Sequence, residues 1–468
     1  MTSGSPAWPA PPATGPLDAL VDVPGSKSLT NRHLLLGAIA AGPSTVRGAL
    51  HSRDGILMVE ALRALGVAVR TSTDGCAPGV WDVTLTPGPL RGAAVDVGLA
   101  GTVMRFVPPL AVLADGTVTL DGDERARERP VAPIVDGLRA LGADIDAATS
   151  PAGDPVLPLT VRGTGRFAGG AVAVDASGSS QFVSGLLLSA PAWENGIDLA
   201  HTGERVPSMP HVDMTVDVLR SRGVTVREYD GFDVSAAPLD AAARSGGARP
   251  VRWQVTPGPV AGGEIGVEPD LSNAGPFLAA AMVAGGTVRI PRWPAATTQP
   301  GDALRGLFTT MGATVDVDET GTLHLTGPAA LRPLVADLGE VGELTPTIAA
   351  VCAVAPGESR LTGVAHLRTH ETDRLAALAR EITRIGGLCV ETRDGLVIEG
   401  HDPRALHGAE LETYADHRMA TFAAILGLVV PGITVRDVAT ADKTLPHFPQ
   451  RWAAMLAGQP FTLAGAAH

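Results

Sequence analysis

Phe106-Val107-Pro108-Pro109-Leu110-Ala111-Val112-Leu113-Ala114-Asp115-Gly116-Thr117-Val118-Thr119-Leu120 is an uncharged apolar run, then a Gly turn, then four residues of strand character. A helix apolar on every side has to be buried, and a β-rich stretch after a Gly turn reads as a strand. The same order recurs five times. Leu34 to Ala41 leads through Gly42 to Ser44-Thr45-Val46, and Phe182 to Ala190 passes Gly196 to Ile197-Asp198-Leu199. Phe277 to Ala284 passes Gly286 to Thr287-Val288-Arg289-Ile290. Thr347 to Ala355 runs through Gly357 to Ser359-Arg360-Leu361, and Phe422 to Val430 through Gly432 to Ile433-Thr434-Val435. The turn glycines at 42, 116, 196, 286, 357 and 432 are 74, 80, 90, 71 and 75 residues apart, a near-constant period.

Between these copies lies a second repeated feature, an amphipathic helix ending in Gly and followed by a strand. Ala61 to Gly66, Gly137 to Gly142, Asp217 to Gly223, Ala303 to Gly312 and Leu378 to Gly386 are its instances. Each repeat therefore holds two helices and several strands, which makes the chain α/β. One core rarely grows past about 250 to 300 residues, so six repeats predict two lobes of three. The Ala-, Gly- and Pro-rich stretch from Ala236 to Gly263, with Ser245-Gly246-Gly247 inside it, is the expected lobe boundary.

Composition narrows the function. With 468 residues and 45 % hydrophobic content the chain can bury large cores, and 36 Lys plus Arg against 49 Asp plus Glu give a net charge of -13. That balance argues against a general nucleic-acid or membrane-surface binder, so an anionic ligand must meet a local basic cluster. Cys76, Cys352 and Cys389 are too far apart for a CxxC metal site, and their odd number excludes a disulfide framework, which fits a reducing cytosol. The apolar runs near 183–191 and 422–431 are too short to cross a bilayer. Residues 1–16 lack the basic start and apolar run of a signal peptide and read as a disordered tail.

Chemistry-bearing side chains stand at the starts of the six apolar helices. They are Lys27, Ser28, Asn31 and Arg32; Gly101, Thr102 and Arg105; Ser179, Ser180 and Gln181; Asp270, Ser272 and Asn273; Glu343; and Asp416-His417-Arg418. A helix N-terminus offers unpaired N–H groups and a positive dipole end, so converging termini would make an anion-binding cleft. Thr102, Ser272 and Asn273 read first as simple helix caps. His417 fits a structural role as well as a catalytic one. His370-Glu371 lacks a second His at 374, where Arg stands, so no zinc helix follows. Gly25-Ser26-Lys27-Ser28 lacks the Gly directly before Lys and the Gly five residues earlier that a Walker loop needs. No GxGxxG run opens a helix after a strand, and a ligand-free scaffold would leave the polar helix starts unexplained.

Pro24-Gly25-Ser26-Lys27-Ser28, Ala100-Gly101-Thr102, Ser179-Ser180-Gln181, His370-Glu371-Thr372-Asp373-Arg374 and Asp416-His417-Arg418 together resemble the 5-enolpyruvylshikimate-3-phosphate synthase family, from about Pro24 to about Phe448. The resemblance implies a two-lobed inverse α/β barrel of the enolpyruvyl transferase type, with six repeated βαβαββ units, three per lobe, and two crossing strands. It places residues 1–23 with 263–468 in the C-terminal lobe and 24–262 in the N-terminal lobe, with closure on ligand binding. It implies enolpyruvyl transfer from phosphoenolpyruvate to the 5-hydroxyl of shikimate 3-phosphate, by a monomeric cytoplasmic enzyme without cofactor or metal. No nucleic-acid or membrane partner is expected.

By the same resemblance, Lys27, Ser28, Arg32, Ser179, Ser180, Gln181, Ser208, Glu343 and His370 hold shikimate 3-phosphate. Lys27, Gly101, Arg129, Gln181, Arg374, Arg418 and Lys443 hold phosphoenolpyruvate, with Arg forks matching its carboxylate and phosphate oxygens. Glu343 is assigned to the acceptor hydroxyl, Glu371 to proton traffic at the methylene, and Lys27 to the leaving phosphate and proton transfer. The family often has Asp, Lys, Asn and Asn where this chain has Glu343, His370, His366 and Leu99, so His366 is the weaker candidate. UDP-N-acetylglucosamine enolpyruvyl transferases share the fold type. They carry Lys-Asn in the first motif and a loop Cys, whereas here Ser28 follows Lys27 and Asp121 to Pro130 holds no Cys.

Overall fold

The computed structural model describes residues 7–233, 236–245 and 247–462. Two compact units emerge: an N-terminal unit of Lys27–Cys76 and Val80–Val267, and a C-terminal unit of Met1–Ser26, Ala77–Gly79 and Glu268–His468. Each has its own contiguous apolar core.

Among the described residues there are six small sheets, five of four strands and one of three. The four-stranded sheets share one plan. In the second repeat Arg91–Gly98 runs parallel to Asp115–Gly122, which pairs antiparallel with Pro155–Thr164, itself antiparallel to Asp144–Thr149. Helix Gly101–Ala111 joins the first two strands and Ala132–Ala140 precedes the hairpin, giving βαβαββ. The first and fourth repeats borrow their opening strand from a distant part of the chain. Gly263–Gly266 pairs with Ser44–Leu50, and Leu17–Leu20 with Gly286–Ile290, both parallel.

The six apolar helices are Lys27–Ala38, Gly101–Ala111, Ser180–Ser189, Leu271–Ala284, Thr345–Ala353 and His417–Gly427. All six begin earlier than the apolar runs. The helices start at the polar motifs themselves, and in five of them the last apolar residues fold into the turn before the next strand. Nearly every residue of these helices is buried, as expected for helices that pack on one another as well as on strands. The amphipathic helices end as expected: Gly66 and Gly386, at φ 103 and 88, occupy a backbone region that disfavours side chains.

Two expectations need correction. Residues 7–16 are not a loose tail: Trp8–Pro9 pairs antiparallel with Val435 and Thr434, completing the sixth sheet beside Glu410–Leu411. Ala10 and Ala13 donate to Ile433 O and Leu428 O, and Ala10 is buried against Gly427. A two-residue strand has no signal of its own; its partner strand makes it. Residues 1–6 lie outside the described residues. The stretch from Ala236 to Gly263 is also more than a linker, since Arg252–Val255 inside it pairs with Ile197–His201 and Val226–Tyr229. Gly246 lies outside the described residues.

Candidate active site

In the N-terminal unit, side chains tie together the first turns of three apolar helices. Asn31 Nδ2 donates to Thr102 Oγ1 at 2.6 Å, joining the first helix to the second. Arg105 Nη1 donates to Gln181 Oε1 at 2.8 Å, joining the second to the third. Arg32 reaches across to the helix Pro210–Ser221, with Nε on Thr215 Oγ1 at 2.7 Å and Nη2 on His211 O at 2.8 Å and Ser184 Oγ at 3.3 Å. Its Nη1 donates to Ser28 O at 2.9 Å. Gly185, whose Cβ would lie 2.4 Å from Arg105 O, lets two of these helices touch. Three helix N-termini are thereby gathered in one place.

Lys27 opens the first helix and lies 3.5 Å from Asp54, which the Ser52-capped helix Arg53–Ala64 carries. Ser179 is a true cap, accepting from Gln181 N at 3.2 Å, and Ser180 beside it is buried. Ser208 takes φ 51 just ahead of helix Pro210–Ser221. Gly101 faces a ring of donors and acceptors. A Cβ there would meet Arg129 Nη2 at 3.0 Å and both Arg105 Nη1 and Gln181 Oε1 at 3.1 Å. Arg129 donates to Leu99 O at 3.0 Å, while its buried Nε has no hydrogen-bond partner among the described residues.

The C-terminal unit builds a more highly charged cluster. Arg374, 2 % exposed, opens the helix Arg374–Arg384 and pairs with Asp416 through Nε at 2.7 Å and Nη2 at 3.2 Å. The same Nη2 donates to Glu371 Oε2 at 3.0 Å, and Glu371 Oε1 accepts from Lys443 Nζ at 2.6 Å. Burial alone would lower the Arg374 guanidinium, but Asp416, Glu371 and Glu343 outweigh it and hold it raised. Arg374 Nη1 also lies 3.1 Å from His370 Nδ1. A guanidinium can only donate, so Nδ1 is the acceptor and a neutral His370 carries its proton on Nε2.

Glu343 accepts from Ser272 Oγ at 3.3 Å. Asn273 clasps the Lys443 turn, donating to Thr444 O at 2.7 Å and accepting from Thr444 Oγ1 at 3.1 Å. Arg418 is lowered by burial, ahead of the opposing pull of Glu343. His366 stands over Gly342, where a Cβ would lie 2.5 Å from Nε2, and burial pushes it down to about 4. Its Nε2 has no hydrogen-bond partner among the described residues.

Thr102, Ser272 and Asn273 are thus not caps; their side chains bond to Asn31, Glu343 and Thr444. Asp270 caps its helix by accepting from Asn273 N. Sequence reasoning did not place Asp54, Arg105 or Asp416 in the site, although Arg105 and Asp416 stand in the polar helix starts. Their roles are set by partners 27, 76 and 42 residues away.

Arg32 and Arg129 differ from Arg374 in one respect: neither makes an ion pair with a carboxylate among the described residues, whereas Arg418 has Glu343, Asp270 and Asp416 acting on it. A guanidinium withdrawn from water without a counter-charge is costly, and an anionic ligand supplies the counter-charge. Among the described residues no group of three or more His, Cys, Asp or Glu side chains is placed to hold a metal ion. No helix there is long and apolar enough to cross a membrane.

Repeated βαβαββ units whose helix starts collect cations form the architecture of the enolpyruvyl transferases. A family profile described as EPSP synthase (3-phosphoshikimate 1-carboxyvinyltransferase) matches residues 12–452. A 3-phosphoshikimate 1-carboxyvinyltransferase of Kocuria rhizophila is 52 % identical over 461 residues, 97 % of each chain. Two solved structures of EPSP synthase from Acinetobacter baumannii superpose with TM-scores of 0.72 and 0.73 at 26 % and 25 % identity. The first pairing covers 96 % of each chain; the second covers 98 % of this chain and 99 % of the other. The chain belongs to the EPSP synthase family.

Proposed function

We propose a division of labour among these clusters for the reaction that family membership gives the chain. The protein is a transferase of the shikimate route to aromatic amino acids: it moves the enolpyruvyl group of phosphoenolpyruvate to the 5-hydroxyl of shikimate 3-phosphate and releases phosphate. The observation that carries the residue assignments is the pair of buried guanidinium groups without a carboxylate partner among the described residues, Arg32 and Arg129. Both substrates are polyanions.

Ser179, Ser180, Gln181, Ser208, Lys27, Ser28 and Arg32 hold shikimate 3-phosphate, with Glu343 and the Nε2–H of His370 as further contacts. Arg129, Arg374, Arg418, Lys443 and Lys27 meet the carboxylate and phosphate of phosphoenolpyruvate. Gly101 and Gln181 complete its contacts, and the absent side chain at Gly101 leaves it room.

Glu343 takes the 5-hydroxyl proton as that oxygen bonds to C2 of phosphoenolpyruvate, and C3 gains a proton from Glu371. Glu371 has the Lys443 ammonium 2.6 Å away as a proton source. The tetrahedral ketal then returns a proton from its new methyl group to Glu371 as the C2–O bond to phosphate breaks. Lys27 gives a proton to the departing phosphate oxygen, and the proton that Glu343 took from the 5-hydroxyl passes through solvent to restore the Lys27 ammonium. A monomeric, cytoplasmic enzyme belongs to this reading, and the unpaired Cys76, Cys352 and Cys389 support a reducing compartment.

The test is phosphate release from phosphoenolpyruvate, with shikimate 3-phosphate and UDP-N-acetylglucosamine supplied separately. Release with shikimate 3-phosphate alone is expected. Release with the sugar nucleotide alone would move the chain to the sister activity.

A further inference from the structure

Lys443 sits in a segment whose two ends both rest on the first described residues of the chain. The segment runs from Arg436 to His447 and contains the tight turn Val438–Lys443. At its start, Val435 and Thr434 pair with Trp8 and Pro9, and Ile433 O accepts from Ala10 N at 3.0 Å. At its end, the ring of Phe448 meets the ring of Trp8 edge-on at 6.1 Å between centroids. Phe448 in turn packs on Trp452 at 5.3 Å and Phe277 at 6.5 Å.

Asp437 and His447, near its two ends, take φ 51 and 62, a left-handed region that is uncommon for residues with a Cβ though Asp and His enter it more readily than most, and His447 N donates to Asp442 Oδ1 at 2.9 Å within the segment. The middle is fixed by the Asn273 clasp on Thr444 and by the Lys443–Glu371 contact. Both ends also rest on Trp8, through its pairing with Val435 and its ring against Phe448. One residue therefore braces both entry and exit of the turn that presents the Lys443 ammonium, whose side chain is only 11 % exposed.

We infer that Trp8 is a positioning residue for Lys443: the amino-terminal strand is a brace that sets the Lys443 ammonium for its anionic donor. The inference rests on the assignment of Lys443 to phosphoenolpyruvate made above. The brace touches the sixth sheet and Phe448; of the acceptor contacts, Ser179, Ser180 and Ser208 belong to the other unit, and Glu343 and His370 stand in the fifth repeat rather than on the braced segment. Loosening it should therefore weaken the donor and leave the acceptor unaffected.

The experiment compares Trp8→Ala and Trp8→Phe with wild type in steady-state kinetics for each substrate and in limited trypsin digestion. Cleavage after Lys443 is measured relative to the exposed Arg404. For Trp8→Ala, KM for phosphoenolpyruvate is expected to rise about tenfold, with KM for shikimate 3-phosphate within about twofold of wild type. Cleavage after Lys443 should accelerate by a similar factor, and Trp8→Phe, which keeps a ring against Phe448, should restore most of both. If Trp8→Ala does not fold, Trp8→Leu, which keeps bulk but no ring, takes its place with the same readouts. A folded variant with unchanged cleavage and unchanged KM overturns the inference, as does an equal rise in both KM values.

Faster cleavage with an unchanged donor KM also overturns it, and Lys443→Met then shows which step failed. If that variant raises KM for phosphoenolpyruvate, Lys443 is a donor ligand and the brace does not position it. If it does not, the assignment of Lys443 is what failed.

Discussion

Lys443 Nζ and Glu371 Oε1 meet at 2.6 Å across 72 residues of sequence, and the other oxygen of Glu371 is held at 3.0 Å by Arg374. A carboxylate between two cations is fixed in orientation and has a proton source at hand. On the assignment proposed above, two positive groups that suit an anionic donor lie beside the carboxylate that carries the proton, so donor binding and proton transfer become one arrangement. Lys27→Ala and Glu371→Ala are each expected to lower turnover at least about a hundredfold without unfolding the protein. Near-normal turnover in either folded variant removes that residue from the mechanism.

Gly101→Ala places a methyl group 3.0–3.1 Å from Arg129, Arg105 and Gln181, tighter than ordinary contact. KM for phosphoenolpyruvate should rise about tenfold. Inhibition by glyphosate, a small phosphonate that competes with phosphoenolpyruvate, should weaken at least as much. Inhibition curves for wild type and variant at matched donor saturation decide this; equal inhibition places the donor elsewhere.

Asp416 is fully buried and is the main partner of Arg374. Asp416→Ala leaves a buried guanidinium with Glu371 as its remaining carboxylate contact, and breaking such a pair costs about 3–5 kcal/mol. Asp416→Asn keeps a hydrogen-bond acceptor and should recover part of that. Urea unfolding of both variants measures it, and a loss in Asp416→Ala below about 1 kcal/mol would contradict the buried-pair account.

His33 is a buried residue of the first helix, and burial, with Arg222 and Arg32 adding, pushes it down to about 4. The unfolded chain takes up this proton near the ordinary 6.5, so stability is lost as pH falls from 6.5 towards 4, by up to about 1.4 kcal/mol per pH unit. His366, also near 4, acts in the same sense. Asp213 opposes both: burial, against the pull of Arg244, raises it to about 6, so it adds stability as pH falls from 6 towards 3.8. His33→Gln should flatten the dependence of unfolding free energy on pH between 6.5 and 4.5 by about one proton. Parallel curves for wild type and variant would place His33 in a better-solvated site.

The repeat was legible because it rests on local pattern: an apolar run, a Gly turn and a β-rich stretch say the same thing in each copy. Helix starts were harder, since Lys27, Gly101 and His417 begin helices without an apolar side chain to announce them. The polar motifs could be named as candidates, but not what each touches. Thr102, Ser272 and Asn273 have the residue types of caps, and only the fold brings Asn31, Glu343 and Thr444 to them. Trp8–Pro9 was missed for the same reason: a strand beside Thr434–Val435 exists only once the chain has returned from more than 400 residues away. Its Pro- and Ala-rich neighbourhood reads as a tail until the partner is in place.

The most direct test of the account follows the methylene proton. In D2O, with both substrates present, wild-type protein should place deuterium on C3 of the enolpyruvyl group as the ketal forms and breaks down. Glu371→Gln should still bind shikimate 3-phosphate yet show neither turnover nor deuterium at C3. A Glu371→Gln protein that exchanges deuterium at the wild-type rate would contradict the claim that Glu371, held between Lys443 and Arg374, carries that proton.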